Sequence, residues 1–420
     1  MRRPRAAIVV TGSELVRGER TDLNGPFYAR EALLLGLQPV GISIVGDDPD
    51  ELETALRQGF EADICLVSGG LGPTHDDRTI ELVARVASRN LIVDAALESE
   101  IEQISRRFAE RLGRPYADFA DGVRKQATLP EGSLSLGIAG TAPGVVLDTG
   151  SCLVVVLPGP PGELQRLWPR AVASEPFQRV LRGTVRPERR VLRFYGSSES
   201  AIAMALAAAG GDGEGIEATI CARDFEIHVD LIVDSGARER ADALEAAFVE
   251  PVSDYLFGRD ERSVQQLVLE LCRSRGLTLG TAESCTGGLV AGRLTSVPGS
   301  SDVFRGGVVA YDDGVKEALL GVSRALLSAH GAVSAEVAAA MAAGARERLG
   351  VDVGVAVTGV AGPAGGTAEK PVGLVFFHAT GPAGERSLRF EIPGERDWIR
   401  ARSAVAALHL VRQLLAPSPG

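Results

Sequence analysis

Apolar and polar positions along this chain follow two different periods, and the switches between them mark out the elements. Ala6 to Val10 is a continuous apolar run, read as a strand buried in a parallel sheet. Thr11-Gly12-Ser13-Glu14-Leu15 follows as a loop. Asp22 and Asn24 lead into a helix that runs through Leu35 and ends at Gly36 in the C′ manner. Val40 to Val45 reads as a second strand, closed by Gly46-Asp47-Asp48. A helix over Asp50 to Phe60 leads to a third strand, Ile64 to Val67. This alternation predicts a doubly wound α/β sheet, with ligands beyond the carboxyl ends of its strands. Further on, Leu153 to Val156 is another buried strand. Arg189 to Tyr195 is strand-like, and Glu199 to Ala209 is helical up to Gly210-Gly211. Ile216 to Ala222 and Phe225 to Val233 form a strand pair, and a helix covers Ala237 to Val249. These pieces make a small α+β connector, with Gly258-Arg259-Asp260 as the linker beyond it.

The last stretch returns to α/β alternation. Leu277-Thr278-Leu279 ends at Gly280, and Leu289-Val290-Ala291 starts a helix. Gly306 to Tyr311 is β-like, and Asp312-Asp313-Gly314 turns into a helix carrying Lys316. Gly354 to Val357 and Val372 to Phe377 are strands, and Glu395 to Arg400 enters an apolar helix. The pattern therefore divides the chain into residues 1–170, a connector over 171–257, and a third α/β domain over 258–420. The final Pro417-Ser418-Pro419-Gly420 is expected to fray.

Composition narrows the class. With 45% hydrophobic and 24% charged residues, 420 residues suffice for two to three packed cores. Fifty glycines against 5% aromatics fit many tight βα turns. A net charge of −11 argues against direct nucleic-acid binding through a broad basic surface. The basic start Met1-Arg2-Arg3-Pro4-Arg5 precedes an apolar run too short for a signal peptide, and Gly12 and Glu14 interrupt it. No uninterrupted apolar stretch has the length of a membrane span. The expectation is a cytoplasmic protein with no membrane partner. The five cysteines, Cys65, Cys152, Cys221, Cys272 and Cys285, are scattered without a Cys-x-x-Cys pair, so no zinc site is indicated.

Residues Thr281 to Gly288 read Thr-Ala-Glu-Ser-Cys-Thr-Gly-Gly, between a strand and a helix. Ser284 is thereby expected near a helix N-terminus, where unpaired N–H groups suit a nucleophile whose reaction develops negative charge. The ordinary reading is an N-cap serine in a tight βα turn. Downstream, Tyr311 ends a strand and Lys316 falls in the first turn of a helix. A lysine beside a phenol and a serine hydroxyl can serve as general base where burial favours its neutral form. Such machinery needs no histidine, and none of the five histidines is locally paired with Ser284. Taken singly, Tyr311 and Lys316 read equally as a strand-end aromatic and a solvated helix lysine. Cys285 is a rival nucleophile or a small packing residue. Thr358 to Thr367 is a glycine loop whose N–H groups can approach a phosphate, although its spacing is neither a P-loop nor a Rossmann fingerprint. Arg400 can fork onto a phosphate or carboxylate.

In the first domain three loops fall at strand ends. Ser68 to Asp77 carries Gly69, Gly70 and Gly72 beside Asp76 and Asp77, suited to a phosphate and a bridging divalent cation. The alternative is that one aspartate caps the helix from Arg78. Gly140 to Gly144 and Leu157 to Glu163 are the other two, and together the three favour one shared site.

The order Ala-Glu-Ser-Cys-Thr-Gly-Gly, then Tyr311 with Lys316 five residues on, then Thr358-Gly-Val-Ala-Gly-Pro, then Lys370-Pro371-Val372-Gly373, resembles the C-terminal domain of the CinA family over about residues 262–415. The stretches from Thr11 to Leu15, Asn24, Gly46-Asp47, Ser68 to Asp77, Lys125-Gln126-Ala127, Gly140 to Gly144 and Pro158 to Glu163 resemble its molybdopterin-binding-like N-terminal domain. The resemblance implies a three-layer α/β C-terminal domain acting as a nicotinamide-nucleotide amidase, which converts nicotinamide mononucleotide to nicotinate mononucleotide and ammonia. It implies Ser284 as nucleophile, Lys316 as base and Tyr311 assisting. Glu283, Cys285, Thr286, Thr358, Gly359, Gly362 and Arg400 would surround the substrate, with no metal, and for Glu283 a structural role in ordering the turn is equally open. In the N-terminal domain it implies an ADP-ribose pyrophosphatase site: Gly69, Gly70, Gly72, Thr74 and Gly159 about phosphate, Glu14 and Asn24 lining the pocket, and Asp77 on a divalent metal. Relatives commonly carry an asparagine shortly before the Gly-Thr-Ala-Pro-Gly stretch, and this chain has Leu136-Gly137-Ile138-Ala139. A homodimer is expected. The alternative class is a non-catalytic nucleotide-binding or interaction protein associated with competence or DNA repair. A pterin-binding N-terminal half rests on fold resemblance alone.

Overall fold

The computed structural model describes residues 3–140 and 142–416. Met1, Arg2, Thr141 of the Gly140–Gly144 stretch, and the terminal Pro417-Ser418-Pro419-Gly420 lie outside the described residues. The chain forms two compact units. The first takes the chain through Arg189 with Asp212–Glu217 and Ile232–Ala243. The second takes Arg190–Gly211, Ala218–Leu231 and the chain from Leu244 onward. Among the described residues no helix is long and apolar enough to cross a membrane.

The first unit opens with β1 (Arg5–Thr11), α1 (Ser13–Val16), α2 (Asn24–Leu34), β2 (Gln38–Val45), α3 (Pro49–Gly59), β3 (Ile64–Ser68) and α4 (Thr79–Val86). It continues through β4 (Leu91–Val93), α5 (Ala95–Leu112), α6 (Ala117–Gln126), β5 (Thr128–Pro130), β6 (Leu134–Ile138), β7 (Pro143–Asp148), β8 (Leu153–Leu157), α7 (Pro161–Ala173) and α8 (Glu175–Val180). Its main sheet has the order β2-β1-β3-β8-β7-β6. It is parallel through β8 and antiparallel at β7 and β6. The continuous apolar runs of β3 and β8 are buried throughout, as a sheet covered on both faces requires. One face packs Val9, Val67 and Val154 against α3 and α4. The other packs Ile8, Leu66 and Val155 against Tyr28 and Trp168. Helix α3 starts where Asp48 accepts from the N–H groups of Asp50 and Glu51, with Pro49 at the first turn.

Next come β9 (Glu188–Phe194), α9 (Glu199–Ala208), β10 (Ile216–Arg223), β11 (Glu226–Val233), α10 (Arg238–Val249) and β12 (Leu256–Gly258). Their sheet has the order β10-β11-β9-β12. Gly258, read from the sequence as the start of a linker, instead ends β12 and pairs antiparallel with β9 at Arg193. The apolar Leu256-Phe257 pair, too short to stand out as a strand by periodicity, is what places it there.

The chain closes with α11 (Val264–Ser274), β13 (Leu279–Glu283), α12 (Leu289–Thr295), β14 (Phe304–Val309), α13 (Asp313–Leu320), α14 (Arg324–His330), α15 (Ala335–Leu349), β15 (Val353–Gly359), β16 (Leu374–Gly381), β17 (Gly384–Glu391) and α16 (Arg396–Leu415). The sheet order is β14-β13-β15-β16-β17. The central β13 runs parallel to β14 and β15, and β16 and β17 form an antiparallel extension. Gly307 of β14 is a steric necessity: a Cβ there would lie 2.2 Å from Thr281 Oγ1 on β13. Helices α11, α12 and α16 cover one face, and α13 and α15 the other. Helix α16 is buried without interruption from Ser403 to Val411.

Candidate active site

Three parallel strands end side by side, and each delivers one of the sequence motifs. Strand β13 ends at Glu283 and passes directly to Ser284. On one side, the Ala310 N–H donates to the Glu283 carbonyl at 2.8 Å, so Tyr311 emerges beside the serine turn. On the other, the Ser284 N–H donates to the Val357 carbonyl at 2.9 Å, so Thr358 and the glycine loop emerge there. The carboxyl edge of this sheet thus brings Ser284, Tyr311, Lys316 and Thr358 to one region, as in other open α/β sheets whose ligands lie beyond the strand ends.

Ser284 is 9% exposed and lies ahead of a turn, Cys285 to Gly288, before α12 begins at Leu289. It does not cap that helix. The cap comes from Glu283, whose buried carboxylate accepts from the N–H groups of Gly288 (2.9 Å), Val290 (3.1 Å) and Ala291 (2.8 Å). The helix N-terminal donors expected around Ser284 are therefore satisfied by its neighbour. Earlier in the turn, the N–H groups of Cys285 and Thr286 donate to no oxygen among the described residues. Burial pushes the Cys285 thiol up to about 12, although these two N–H groups lean toward its sulfur and pull the other way. Such surroundings disfavour the thiolate and suit a small packing group. The side chains of Glu283, Cys285 and Thr286 are all inside the protein, at 1%, 4% and 0% exposure.

Lys316 is the unusual residue of the region. It is 1% exposed, on an element where a lysine would ordinarily reach water. Asp312 caps α13 by accepting from Gly314 N–H at 2.8 Å, which fixes the turn that directs Lys316 inward. Its Nζ donates to the Tyr311 carbonyl (3.4 Å) and to Asp313 Oδ1 (3.2 Å). No hydrogen bond joins it to Ser284 Oγ. The Tyr311 ring is exposed, and its Oη accepts from Arg396 Nη2 at 2.8 Å. Arg396 Nη1 also donates to the Gly362 carbonyl at 2.6 Å, tying the glycine loop to the tyrosine.

Arg400 has a different place from the one expected. Its Nε and Nη2 donate to the carbonyls of Cys285 and Thr286, both at 3.1 Å, so it clamps the serine turn. Thr358 is fully buried, and its hydroxyl donates to the Ala332 carbonyl at 2.7 Å. Gly359 lies against β16, where a Cβ would meet the Leu374 carbonyl at 2.7 Å. Lys370 Nζ donates to the His330 carbonyl at 2.6 Å and closes the loop on α14. Arg396, Asp313 and Lys370 were not singled out from the sequence as site residues. Arg396 had a usable signal, since it stands four residues before Arg400 and so shares its helix face.

In the first unit the three loops do converge. Gly69 N–H donates to the Leu157 carbonyl at 3.1 Å, and Asn24 Nδ2 donates to Ser68 Oγ (2.9 Å) and the Gly159 carbonyl (2.7 Å). Asn24 Oδ1 is buried with no donor among the described residues. Gly69 has φ +103°, and a Cβ there would lie 2.5 Å from the Thr11 carbonyl, so only glycine fits. A cavity of about 420 Å³ is lined by Thr11, Glu14, Asn24 and Gly159. A second of about 240 Å³ is lined by Gly70, Gly72, Asp77, Lys125 and Pro143. Neither Asp76 nor Asp77 caps α4, whose N-cap Arg78 makes no side-chain capping bond. Asp77 Oδ2 instead accepts from the Thr74 N–H at 3.0 Å and from its hydroxyl. Lys125 Nζ donates to the Thr74 carbonyl. Among the described residues no group of three or more His, Cys, Asp or Glu is placed to hold a metal ion. Asp77 Oδ2 and Lys125 Nζ thus both engage Thr74, which fixes the turn of this loop.

Comparison with known proteins adds to this geometry. A profile of the CinA C-terminal domain matches residues 261–415, and one of a probable molybdopterin binding domain matches residues 7–176. The CinA-like protein of Mycolicibacterium paratuberculosis is 44% identical, with 98% of each chain covered. That of Mycobacterium tuberculosis is 42% identical, over 99% of this chain and 98% of the relative. Among solved structures, the competence/damage inducible protein CihA from Agrobacterium tumefaciens is 39% identical over 38% of this chain and 99% of its own, with a TM-score of 0.35. With such identity sustained along its whole length, this chain belongs to the CinA family.

Proposed function

We propose that the chain hydrolyses the carboxamide of nicotinamide mononucleotide to nicotinate mononucleotide and ammonia at Ser284. The observation that carries this reading is Lys316, buried to 1% beside the strand ends that carry the serine. A lysine is seldom buried so fully without a task or a tight ion pair, and its one carboxylate partner, Asp313, is itself largely exposed. In the reaction, Lys316 takes the Ser284 proton as Oγ bonds to the carboxamide carbon. The N–H groups of Cys285 and Thr286 are the donors on hand for the oxyanion. The C–N bond then breaks as the amine receives that proton and leaves as ammonia. Water hydrolyses the acyl-enzyme, returning the proton to Ser284. The missing Ser284–Lys316 hydrogen bond is the kind that closes once substrate is bound. Tyr311, held by Arg396 at the rim, orients the substrate and supports proton transfer. Ser284→Ala is expected to lower kcat by at least about 10³-fold with the fold unchanged.

The paired cavities of the first unit favour a second reading, a nucleotide pocket that cleaves ADP-ribose at its pyrophosphate. Its support is the convergence of Glu14, Asn24 and the glycine loops on one strand edge. We assign no step to a metal. Titration with ADP-ribose, followed by assay for phosphate-ester products in wild type and Glu14→Gln, tests it. Saturable binding that Glu14→Gln weakens is expected. No binding removes the reading, and binding without turnover reduces it to a sensor.

A further inference from the structure

Strand β10 ends at Arg223 and β11 begins at Glu226, so Asp224 and Phe225 alone connect them. Both have positive φ, +51° and +66°. A two-residue hairpin of this shape favours Asn-Gly or Asp-Gly, because a Cβ in the left-handed region crowds the following carbonyl. Asp224 suits the first place. Phe225 stands where glycine belongs, and a bulky residue persists there only where its surroundings offset the strain.

Those surroundings are the two helices that hold the serine turn, all within the second unit. The Phe225 ring meets Trp398 of α16 edge to face, with centroids 4.6 Å apart and planes at 75°. A Cβ at Gly394 would lie 2.9 Å from Trp398 Cδ1, so the indole also packs on the chain entering α16. Asp224 pairs with Arg293 of α12 at 3.7 Å. Beside the tip, Glu226 bonds to His409, about three turns beyond Trp398 on the same stripe of α16. The hairpin thus grips α16 at two levels and α12 at one. Both helices begin at the site. Arg396 and Arg400 flank Trp398 in the first turn of α16. The first holds Tyr311 Oη and the Gly362 carbonyl, the second the carbonyls of Cys285 and Thr286. A shift of that turn moves both guanidinium forks, and misplacement by about 1 Å at a reacting site costs rates on the order of 10²-fold.

We propose that Phe225, at the tip of the connector hairpin, is a positioning residue for the site at Ser284, acting through Trp398 and the first turn of α16. Its catalytic consequence rests on the amidase reading, and its structural consequence does not. The test uses the full chain and two readouts. Phe225→Ala is expected to lower kcat on nicotinamide mononucleotide about tenfold with KM held within about twofold. Amide exchange at Gly287, Gly288 and Val290 is expected to quicken at least about fivefold, with exchange in β15 unchanged. Phe225→Tyr, which keeps a ring on Trp398, is expected to restore both. Trp398→Leu should reproduce the loss, and the double variant should add nothing further. Trp398 is half exposed, so this variant replaces Phe225→Ala should the latter lose its fold. Unchanged exchange at the turn in Phe225→Ala, or losses that add in the double variant, overturns the proposal. If wild type releases no ammonia, the amidase reading falls by itself, and exchange at the turn then decides for or against the coupling.

Discussion

Arg396 holds two site loops at once, donating to the Gly362 carbonyl and to Tyr311 Oη. A planar guanidinium can do this where an ammonium cannot, because its donors diverge in a fixed fork. Arg396→Lys is therefore expected to keep the fold but lower kcat/KM about tenfold, with the loss mainly in kcat if Tyr311 supports proton transfer. Steady-state kinetics on nicotinamide mononucleotide check this, and an unchanged kcat/KM would remove Arg396 from the site. The places of Ser284 and Tyr311 were legible in the sequence because each follows closely on a strand pattern, and that of Lys316 because Asp312-Asp313-Gly314 starts its helix. The partners that position them were not. Whether Glu283 caps α12 or contacts substrate depends on which way one side chain turns out of a buried strand. The same holds for Arg400, whose guanidinium meets carbonyls 114 and 115 residues away in sequence.

At the scale of elements, α16 shows where periodicity runs out. Its middle is apolar on every side because it is buried on every side, so no amphipathic stripe announces which neighbours it has. One of them is β11, through a buried polar contact. Arg412 Nε donates to His409 Nδ1 at 3.2 Å, which leaves the proton on Nε2 to donate to Glu226 Oε1 at 2.8 Å. Tyr195 stacks on the imidazole at 3.6 Å. Burial lowers His409 to about 4, outweighing the pull of Glu226. Burial alone would raise Glu226, but hydrogen bonds from His228 and His409 outweigh it and hold the carboxylate below its usual value. A histidine kept neutral in the fold takes up protons only on unfolding. Its contribution is complete above the unfolded value of about 6.5 and is lost as pH falls toward about 4. The loss reaches about 3 kcal/mol, and Glu226 adds to it at the acid end of the same window. Melting of the second unit is expected to fall between pH 6.5 and 4, and to fall less in His409→Gln, which retains a donor toward Glu226. Parallel melting profiles for the two proteins would contradict this.

For the whole molecule, the doubly wound first unit and the strand order around β13 follow from apolar runs and glycine turns that can be read residue by residue. The placement of β12 does not, because a three-residue strand carries too little pattern and is fixed by its partner β9. Membership of the CinA family fits both halves of the chain, and the chemistry proposed for it rests on the serine turn and the buried lysine. The most direct test is ammonia release from nicotinamide mononucleotide by the purified full chain in excess EDTA, beside its Ser284→Ala variant. The account predicts release by wild type that the chelator leaves intact and the substitution abolishes. Equal release by both proteins, or none from wild type, would contradict it.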